Sequence, residues 1–313
     1  PLPIAPHQPI LAVGGQQKVT FAIGAAQNSQ HGQAIVSPYI GDLTNLEMQQ
    51  DFEERVNDLT QLHQITLAHY ICDLHPRYAT HQWAYQQLIQ QPWLQKQQKT
   101  KPLNQQHDIN SPKISTVQHH YAHVLSVMAE HQIQQSVLGF SFDGTGLGEN
   151  QDTNIDVHQQ ESLWGGEVLI ANTQHYKRIA SFKPFRLIGG EQAISSPARL
   201  LFALLLEEYS LERIQEMQLA AFSSLPKNQL NNWYILWSKG INSPYTSSIG
   251  RFIDAYCALL TGINTTQFEG ECGLLLEQMA LDYSDSDSDS NDGQSSTLLF
   301  NKNNTQFDLF PLL

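Results

Sequence analysis

At 313 residues the chain can bury one large core or two smaller ones. It is 41% apolar and 15% charged, and its formal net charge is -13; so acidic a surface repels phosphate backbones and argues against a nucleic-acid binder, while leaving room for a local basic pocket for a nucleotide. No apolar run approaches the ~20 residues that span a bilayer, no secretory signal is present, and Cys72, Cys257 and Cys272 lack CxxC spacing, so they read as buried reduced thiols of a cytoplasmic protein.

The chain opens on PLPIAPHQP, a Pro-rich stretch (residues 1–9) with the composition of a linker, and closes on the apolar FDLFPLL; both ends suggest a piece of a larger protein. Residues 10–26, ILAVGGQQKVTFAIGAA, read as strand, tight Gly-Gly turn, strand, with Lys18 just after the turn. Such a turn lets backbone amides approach an anion, and it equally suits an ordinary hairpin. A short strand at 35–40 precedes a helix over 42–68, where Leu43, Leu46, Phe52, Val56, Leu59, Leu62 and Ile65 recur at helical spacing. YICDLHPRY (70–78) reads as a strand running into a Pro-bounded loop, in which His75 and Tyr78 shape the backbone. A Gln-rich helix over 81–98 is interrupted at Pro92.

A strand at 113–117 leads into a helix to about Ile133, with Ala122, Leu125, Met128, Ala129 and Ile133 as its apolar face. His119 and His123 lie four apart, so on a helix they share one side and can grip one metal ion; His120 between them points elsewhere. The next strand, 137–142, delivers Asp143 at its end, where open α/β sheets bind ligands, followed by the glycine turn Gly144-Thr145-Gly146 in a polar loop reaching to Glu161. Two imidazoles and one carboxylate beside a glycine loop make a metal–nucleotide site, and this ligand set suits iron or zinc.

Strands at 163–170 and 176–182 form a hairpin, a loop covers 184–190, and an amphipathic helix covers 197–208. Residues 211–237 are helical in parts, broken at Pro226. TSSIGRFIDAYCALL (246–260) is a capped helix with Asp254 in its second turn, and a further helix covers 268–281. Residues 283–296 form an acidic Asp/Ser flexible loop without EF-hand spacing, and a strand resumes at 297–301. Strands and helices alternate in the manner of an α/β protein.

Taken in order, ILAVGGQQKVTFAIG, SPYIGDLTNLE, CDLHPRYAT, VQHHYAH, FSFDGTGLG, LWGGEVLIA, FRLIGGEQA, SSIGRFIDAYCALLTG and FEGECGLLLEQMA closely resemble the C-terminal half of the HypF-type hydrogenase-maturation carbamoyltransferases. That half is similar to the universal tRNA threonylcarbamoyl-transfer proteins and to antibiotic O-carbamoyltransferases. The resemblance covers nearly the whole chain. It implies an actin-like, sugar-kinase-like ATPase fold of two related lobes, truncated here at its C-terminus, with residues 10–115 beginning the N-terminal lobe and 116–313 carrying the rest. It further implies that ATP converts carbamoyl phosphate to carbamoyl adenylate. The carbamoyl group then passes to the C-terminal cysteine of a HypE-type partner, where dehydration yields the thiocyanate that becomes the CN ligand of [NiFe]-hydrogenase iron.

Carried over residue by residue, the resemblance makes His119, His123 and Asp143 ligands of a divalent metal, iron or zinc. Gly144, Thr145 and Gly146 become a phosphate cradle, and Asp254 and Gly270 ribose contacts. Lys18 stands where the family keeps a lysine near its first phosphate loop, and with Asp143 is the catalytic candidate. The chain departs from the family pattern in reading GGEQ where many relatives have GGDQ, and SSPAR in place of a charged-Pro-Trp-Arg run. Complete members also carry upstream acylphosphatase, zinc-finger and adenylate-forming modules, and downstream a Gly-Gly nucleotide loop and a final ligating Asp. Two alternatives remain open: O- or N-carbamoylation of a small molecule or tRNA, and a non-catalytic fragment that binds nucleotide or a partner protein.

Overall fold

The computed structural model describes residues 2–25, 32–89, 113–149, 163–286 and 306–307. The expected second half of the Gln-rich helix, the loop at 150–161, the acidic segment from 287 and the strand at 297–301 lie outside these described residues. The chain divides into two compact units, Pro1–Ser136 with Asn172–Gln174, and Val137–Ala171 with His175–Leu313.

The first unit is built on a five-stranded sheet. Strands β1 (Ile10–Ala12), β2 (Ala22–Ala25) and β3 (Gln33–Val36) form an antiparallel meander, and β4 (His69–Asp73) and β5 (Lys113–Val117) run parallel to β1, giving the order β3-β2-β1-β4-β5. Parallel neighbours need a crossover. Helix α1 (Leu46–Leu62) supplies one, capped by Asn45, whose side chain accepts the Met48 N–H. Phe52 and Val56, four apart and so on one side of α1, bury with Leu11, Val13, Phe21 and Ile23 in this unit's core. Leu46 and Leu62, expected on that same stripe, are exposed. Helix α2 (Ala79–Ile89) follows β4, and α3 (His119–Glu130) follows β5.

The expected tight Gly-Gly hairpin is not formed. The Val13 N–H is taken by the Ile71 carbonyl of β4, Gly14 turns the chain through a left-handed φ of 65°, and Val19 pairs with Gly41 rather than with β1. The 13–21 connection is therefore a wide loop. Residues 2–9, linker-like in composition, lie along β2: the Leu2 N–H donates to the Gly32 carbonyl, and Pro6 and Leu2 stand beside Gly24.

The second unit opens with its own antiparallel meander of β6 (Val137–Leu147), β7 (Leu163–Ala171) and β8 (Tyr176–Phe182). Three two-residue strands extend the sheet: β9 (Phe185–Arg186), β10 (Tyr245–Thr246) and β11 (Gln306–Phe307). Residues 185–186, expected in a loop, and Thr246, expected in a helix cap, are strand here, because two-residue strands carry no periodicity to read. Helix α4 (Pro197–Leu205) starts with its proline in the first turn, where the missing N–H costs nothing. It is shorter than the expected amphipathic helix and buried on nearly all sides, as PARLLFALL without a polar face requires. Around it lie α5 (Leu211–Glu216), α6 (Gln229–Lys239) and α7 (Ile249–Thr261), contributing Ile214, Trp233, Phe252, Ala255 and Ala258 to the core. Helix α8 (Glu271–Ser286) follows and runs beyond the expected end at Leu281.

Candidate active site

In the first unit the site grows from the ends of two neighbouring parallel strands. The β4–β5 register pairs Asp73 with Val117, so the last residue of β4 stands just before the start of α3. Gln118 caps that helix, its side chain accepting the Tyr121 N–H at 2.9 Å, and the Tyr121 hydroxyl donates to the Asn172 carbonyl at 2.7 Å. Four residues apart on α3, His119 and His123 bring their Nε2 atoms to 3.3 Å, with ring planes at 78°. Two nitrogens each about 2.1 Å from one tetrahedrally bound ion lie roughly 3.4 Å apart, so the pair fits the edge of such a coordination shell.

Behind His119 stands Asp73, a residue that no motif of the sequence marks. Asp73 is buried, with Oδ2 2.6 Å from His119 Nδ1 and Oδ1 accepting the His75 N–H at 2.8 Å. Nothing local signals this contact: the two residues are 46 apart in sequence and meet through strand register. His120 is fully buried, with Nδ1 3.1 Å from Gln118 Nε2. Helix α3 accordingly buries His120, Tyr121, Val124 and Met128; of the expected face Met128 is buried, Leu125, Ala129 and Ile133 are half-buried, and Ala122 is exposed.

The glycine loop of this unit lies against the same histidine. A methyl group at Gly15 would come 3.6 Å from His119 Cε1 and 3.7 Å from Tyr78 Cε2. The buried Thr80 hydroxyl holds the loop by donating to the Gly14 carbonyl at 3.0 Å, and the Gln16 side chain accepts the Ala79 N–H at 3.0 Å. His75 and Tyr78 stack at 4.2 Å in the loop after β4. Lys18 is exposed in the 13–21 loop with a left-handed φ of 51°, and its backbone N–H donates to Asp42 Oδ1 at 2.6 Å.

In the second unit the Asp-Gly-Thr-Gly run is part of β6 rather than a loop after it. Phe142 pairs with Gly166 and Gly146 with Trp164, so Asp143, Gly144 and Thr145 all stand opposite Gly165 in a bulge. The bulge rests on the start of α7. Ser248, the helix cap, donates its hydroxyl to the Gly144 carbonyl at 2.5 Å, with the Asp143 carbonyl at 3.2 Å, and accepts the Arg251 N–H at 3.1 Å. Asp143 Oδ1 accepts the Gly144 N–H at 2.6 Å. Thr145 and Gly146 continue the strand. Helix N-termini carry partial positive charge and suit anions, so a glycine bulge at one is chemically fit to cradle a phosphate.

Two ion pairs brace this arrangement, one half-buried and one buried. Glu167, without exposure to solvent, accepts the Gly165 and Gly166 N–H groups at 3.2 and 3.3 Å, the Ser247 hydroxyl, and Arg178 Nε at 2.6 Å; Arg178 in turn lies over the Trp164 ring at 4.4 Å. Asp254 is buried with Oδ2 3.1 Å from Arg251 Nη2, and that guanidinium nitrogen would stand 3.6 Å from a methyl group at Gly144. Burial pushes the Asp254 carboxyl above its usual range, against the pull of Arg251 and a Cys272 hydrogen bond, while nearby Glu269 pushes the same way as burial. Gly270, just before α8, holds a left-handed φ of 88° with open space where a side chain would lie. Glu167 and Arg251 were not singled out from sequence; a carboxylate inside a strand that otherwise reads as core was the available signal for Glu167.

Comparison with known proteins gives a consistent result. The family model for the HypF Kae1-like domain matches residues 5–130, and the model for the carbamoyltransferase Kae1-like domain, second subdomain, matches residues 139–310. The chain is 35% identical to carbamoyltransferase HypF of Synechocystis sp. over 88% of its length and 33% of the relative's. It is 29% identical to carbamoyltransferase HypF2 of Cupriavidus necator over 87% of its length and 29% of that protein. Among solved structures, full-length HypF in the phosphate- and nucleotide-bound form matches with a TM-score of 0.73 and 27% identity, covering 99% of this chain and 41% of that one. HypF of T. kodakarensis matches with a TM-score of 0.74 and 26% identity over 99% of this chain and 36% of that one. The chain thus spans about a third of the length of these curated relatives.

Proposed function

Because this chain belongs to the HypF carbamoyltransferase family, we propose that it is the carbamoyl-transfer region of an ATP-dependent enzyme of hydrogenase maturation. In this reading it receives carbamoyl adenylate, formed from carbamoyl phosphate and ATP, and passes the carbamoyl group to the C-terminal cysteine thiolate of a HypE-type partner. The reaction is nucleophilic acyl transfer: the thiolate attacks the carbamoyl carbon, negative charge grows on the carbamoyl oxygen, and AMP leaves. The observation that carries the proposal is the pair of His119 and His123, whose Nε2 atoms are spaced for one ion, with a buried carboxylate behind one of them.

His119 and His123 would hold the metal together with Asp143, the carboxylate donor that the family resemblance assigns. Bound there, a divalent zinc or iron would act as a Lewis acid on phosphate or carbamoyl oxygen. Gly144, Thr145 and Gly146 at the cap of α7 would receive phosphate, and the buried Arg251 beside Gly144 adds a fixed positive charge to that surface. Asp254 and Gly270 are proposed for the ribose side, and Lys18 for charge near the first glycine loop.

The test is metal content and calorimetric ATP binding of this chain beside its His119→Ala/His123→Ala double variant. Roughly stoichiometric zinc or iron, with metal-dependent ATP binding, both lost in the variant, is the expected outcome. In the full gene product, carbamoylation of a partner ending in cysteine should fall by about 10²–10³-fold, the loss expected when several kcal/mol of charge stabilisation is removed. Equal metal content in both proteins would return the histidines to a structural role.

A further inference from the structure

We propose that Asp73 is a positioning residue for His119: its carboxylate fixes the imidazole as the Nδ1–H tautomer and turns the Nε2 lone pair toward His123. A carboxylate in a folded interior is costly unless its oxygens are hydrogen-bonded. Asp73 is buried at the C-terminal end of β4, and both oxygens are engaged, Oδ1 by the His75 N–H and Oδ2 by His119 Nδ1. An ionised carboxylate can only accept, so at 2.6 Å the proton of this contact belongs to Nδ1. A neutral imidazole with its proton on Nδ1 has its lone pair on Nε2, the nitrogen 3.3 Å from His123 Nε2. The backbone sets the arrangement before the side chains do, since strand register brings Asp73 to the level of Val117, the residue before the helix cap. The His75 N–H anchor fixes the other carboxylate oxygen.

The consequence for metal binding rests on the reading of His119 and His123 as ligands, whereas the tautomer does not. A metal-binding histidine commonly donates its other ring N–H to a carboxylate, and removing such a partner weakens affinity by about 10- to 100-fold. Asp73→Asn is the informative change, because it keeps the volume and can keep the His75 hydrogen bond. It puts an amide N–H opposite Nδ1, which favours the tautomer with the proton on Nε2, the form that cannot ligate.

The experiment combines two readouts. In metal-free chain labelled with ¹⁵N at histidine, two-bond ¹H–¹⁵N spectra in mildly alkaline solution should find His119 protonated at Nδ1, and protonated at Nε2 in Asp73→Asn. Zinc titrated against a competing chelator should bind the variant about 10- to 100-fold more weakly, at an unchanged thermal midpoint of the metal-free protein. A wild-type His119 protonated at Nε2 overturns the proposal, and so does a folded Asp73→Asn that binds zinc as tightly as wild type. If the variant does not fold, the wild-type spectrum still decides. Absence of zinc binding by the wild-type chain counts against the metal reading alone, and the tautomer then settles the role of Asp73.

Discussion

Asp254 and Arg251 show how a residue can matter to a site by what lies beneath it. Their side chains are 7% and 5% exposed and 3.1 Å apart, and Arg251 also reaches the Ile194 carbonyl at 3.4 Å while its Nη2 borders Gly144. Burial raises the Asp254 carboxyl above its ordinary value. The sign follows from linkage: an acid with a raised folded pKa holds its proton longer in the folded than in the unfolded chain. Its contribution is therefore fully present below the unfolded value near 4 and is lost as pH climbs toward the raised folded value. Asp254→Asn should flatten this limb, with unfolding free energy falling less steeply above about pH 4 than in wild type. It should also lower stability overall, because Arg251 loses a buried charged partner. Urea midpoints of both proteins across that range test it, and parallel curves would remove Asp254 from the pH dependence.

At the scale of elements, the β6 bulge, β7 and the start of α7 approach so closely that glycine is required. A methyl group at Gly165 would come 2.7 Å from both the Asp143 carbonyl oxygen and Ser248 Cα. These are backbone atoms that cannot rotate away. Gly165→Ala should cost about 1–3 kcal/mol by overpacking. Gly273, inside α8 with nothing within 4 Å of the added carbon, is the control, and Gly273→Ala should stabilise by about 0.5–1 kcal/mol. Denaturant midpoints moving in opposite directions are the expected result, and a Gly165→Ala protein as stable as wild type would show that the three elements do not pack this tightly. The same elements mark the limit of what was legible in sequence. His119 and His123 were legible because four-residue spacing on a helix is a local rule. The Asp-Gly-Thr-Gly run was read as a turn because its composition is that of a turn, whereas pairing with β7 keeps it in the strand. Asp73 and Glu167 act through register and burial, which no local window of sequence contains.

Across the whole molecule, each unit opens with three antiparallel strands joined in chain order, β1 to β3 and β6 to β8, and each encloses a hydrophobic core of its own. The related-lobe architecture was legible through ordered family motifs rather than periodicity, since the two units share no obvious sequence repeat. The three cysteines divide between the units: Cys72 on β4 in the core of the first, Cys257 on α7 and Cys272 on α8 in the second, all buried and free. Burial pushes the Cys72 thiol up to about 11 and raises Cys272 as well, with Asp254 and Cys257 adding to the latter. The thiolate is the reactive form, so at neutral pH the native protein should resist a maleimide, and each thiol should react only when its own core opens. Because Cys257 and Cys272 share the α7–α8 packing, pulsed labelling in rising urea, read by mass spectrometry, should find them modified together, independently of when Cys72 appears. Cys272 modified well before Cys257 would mean that α8 detaches from α7 before the core unfolds. The raised thiol values also carry a pH consequence: their contribution is present below the unfolded value of about 8.5 and is lost as pH rises through the folded one. Native resistance to labelling should accordingly persist in mildly alkaline buffer and fail toward pH 11, where the Cys72 thiol ionises and the first unit loses that contribution to its stability.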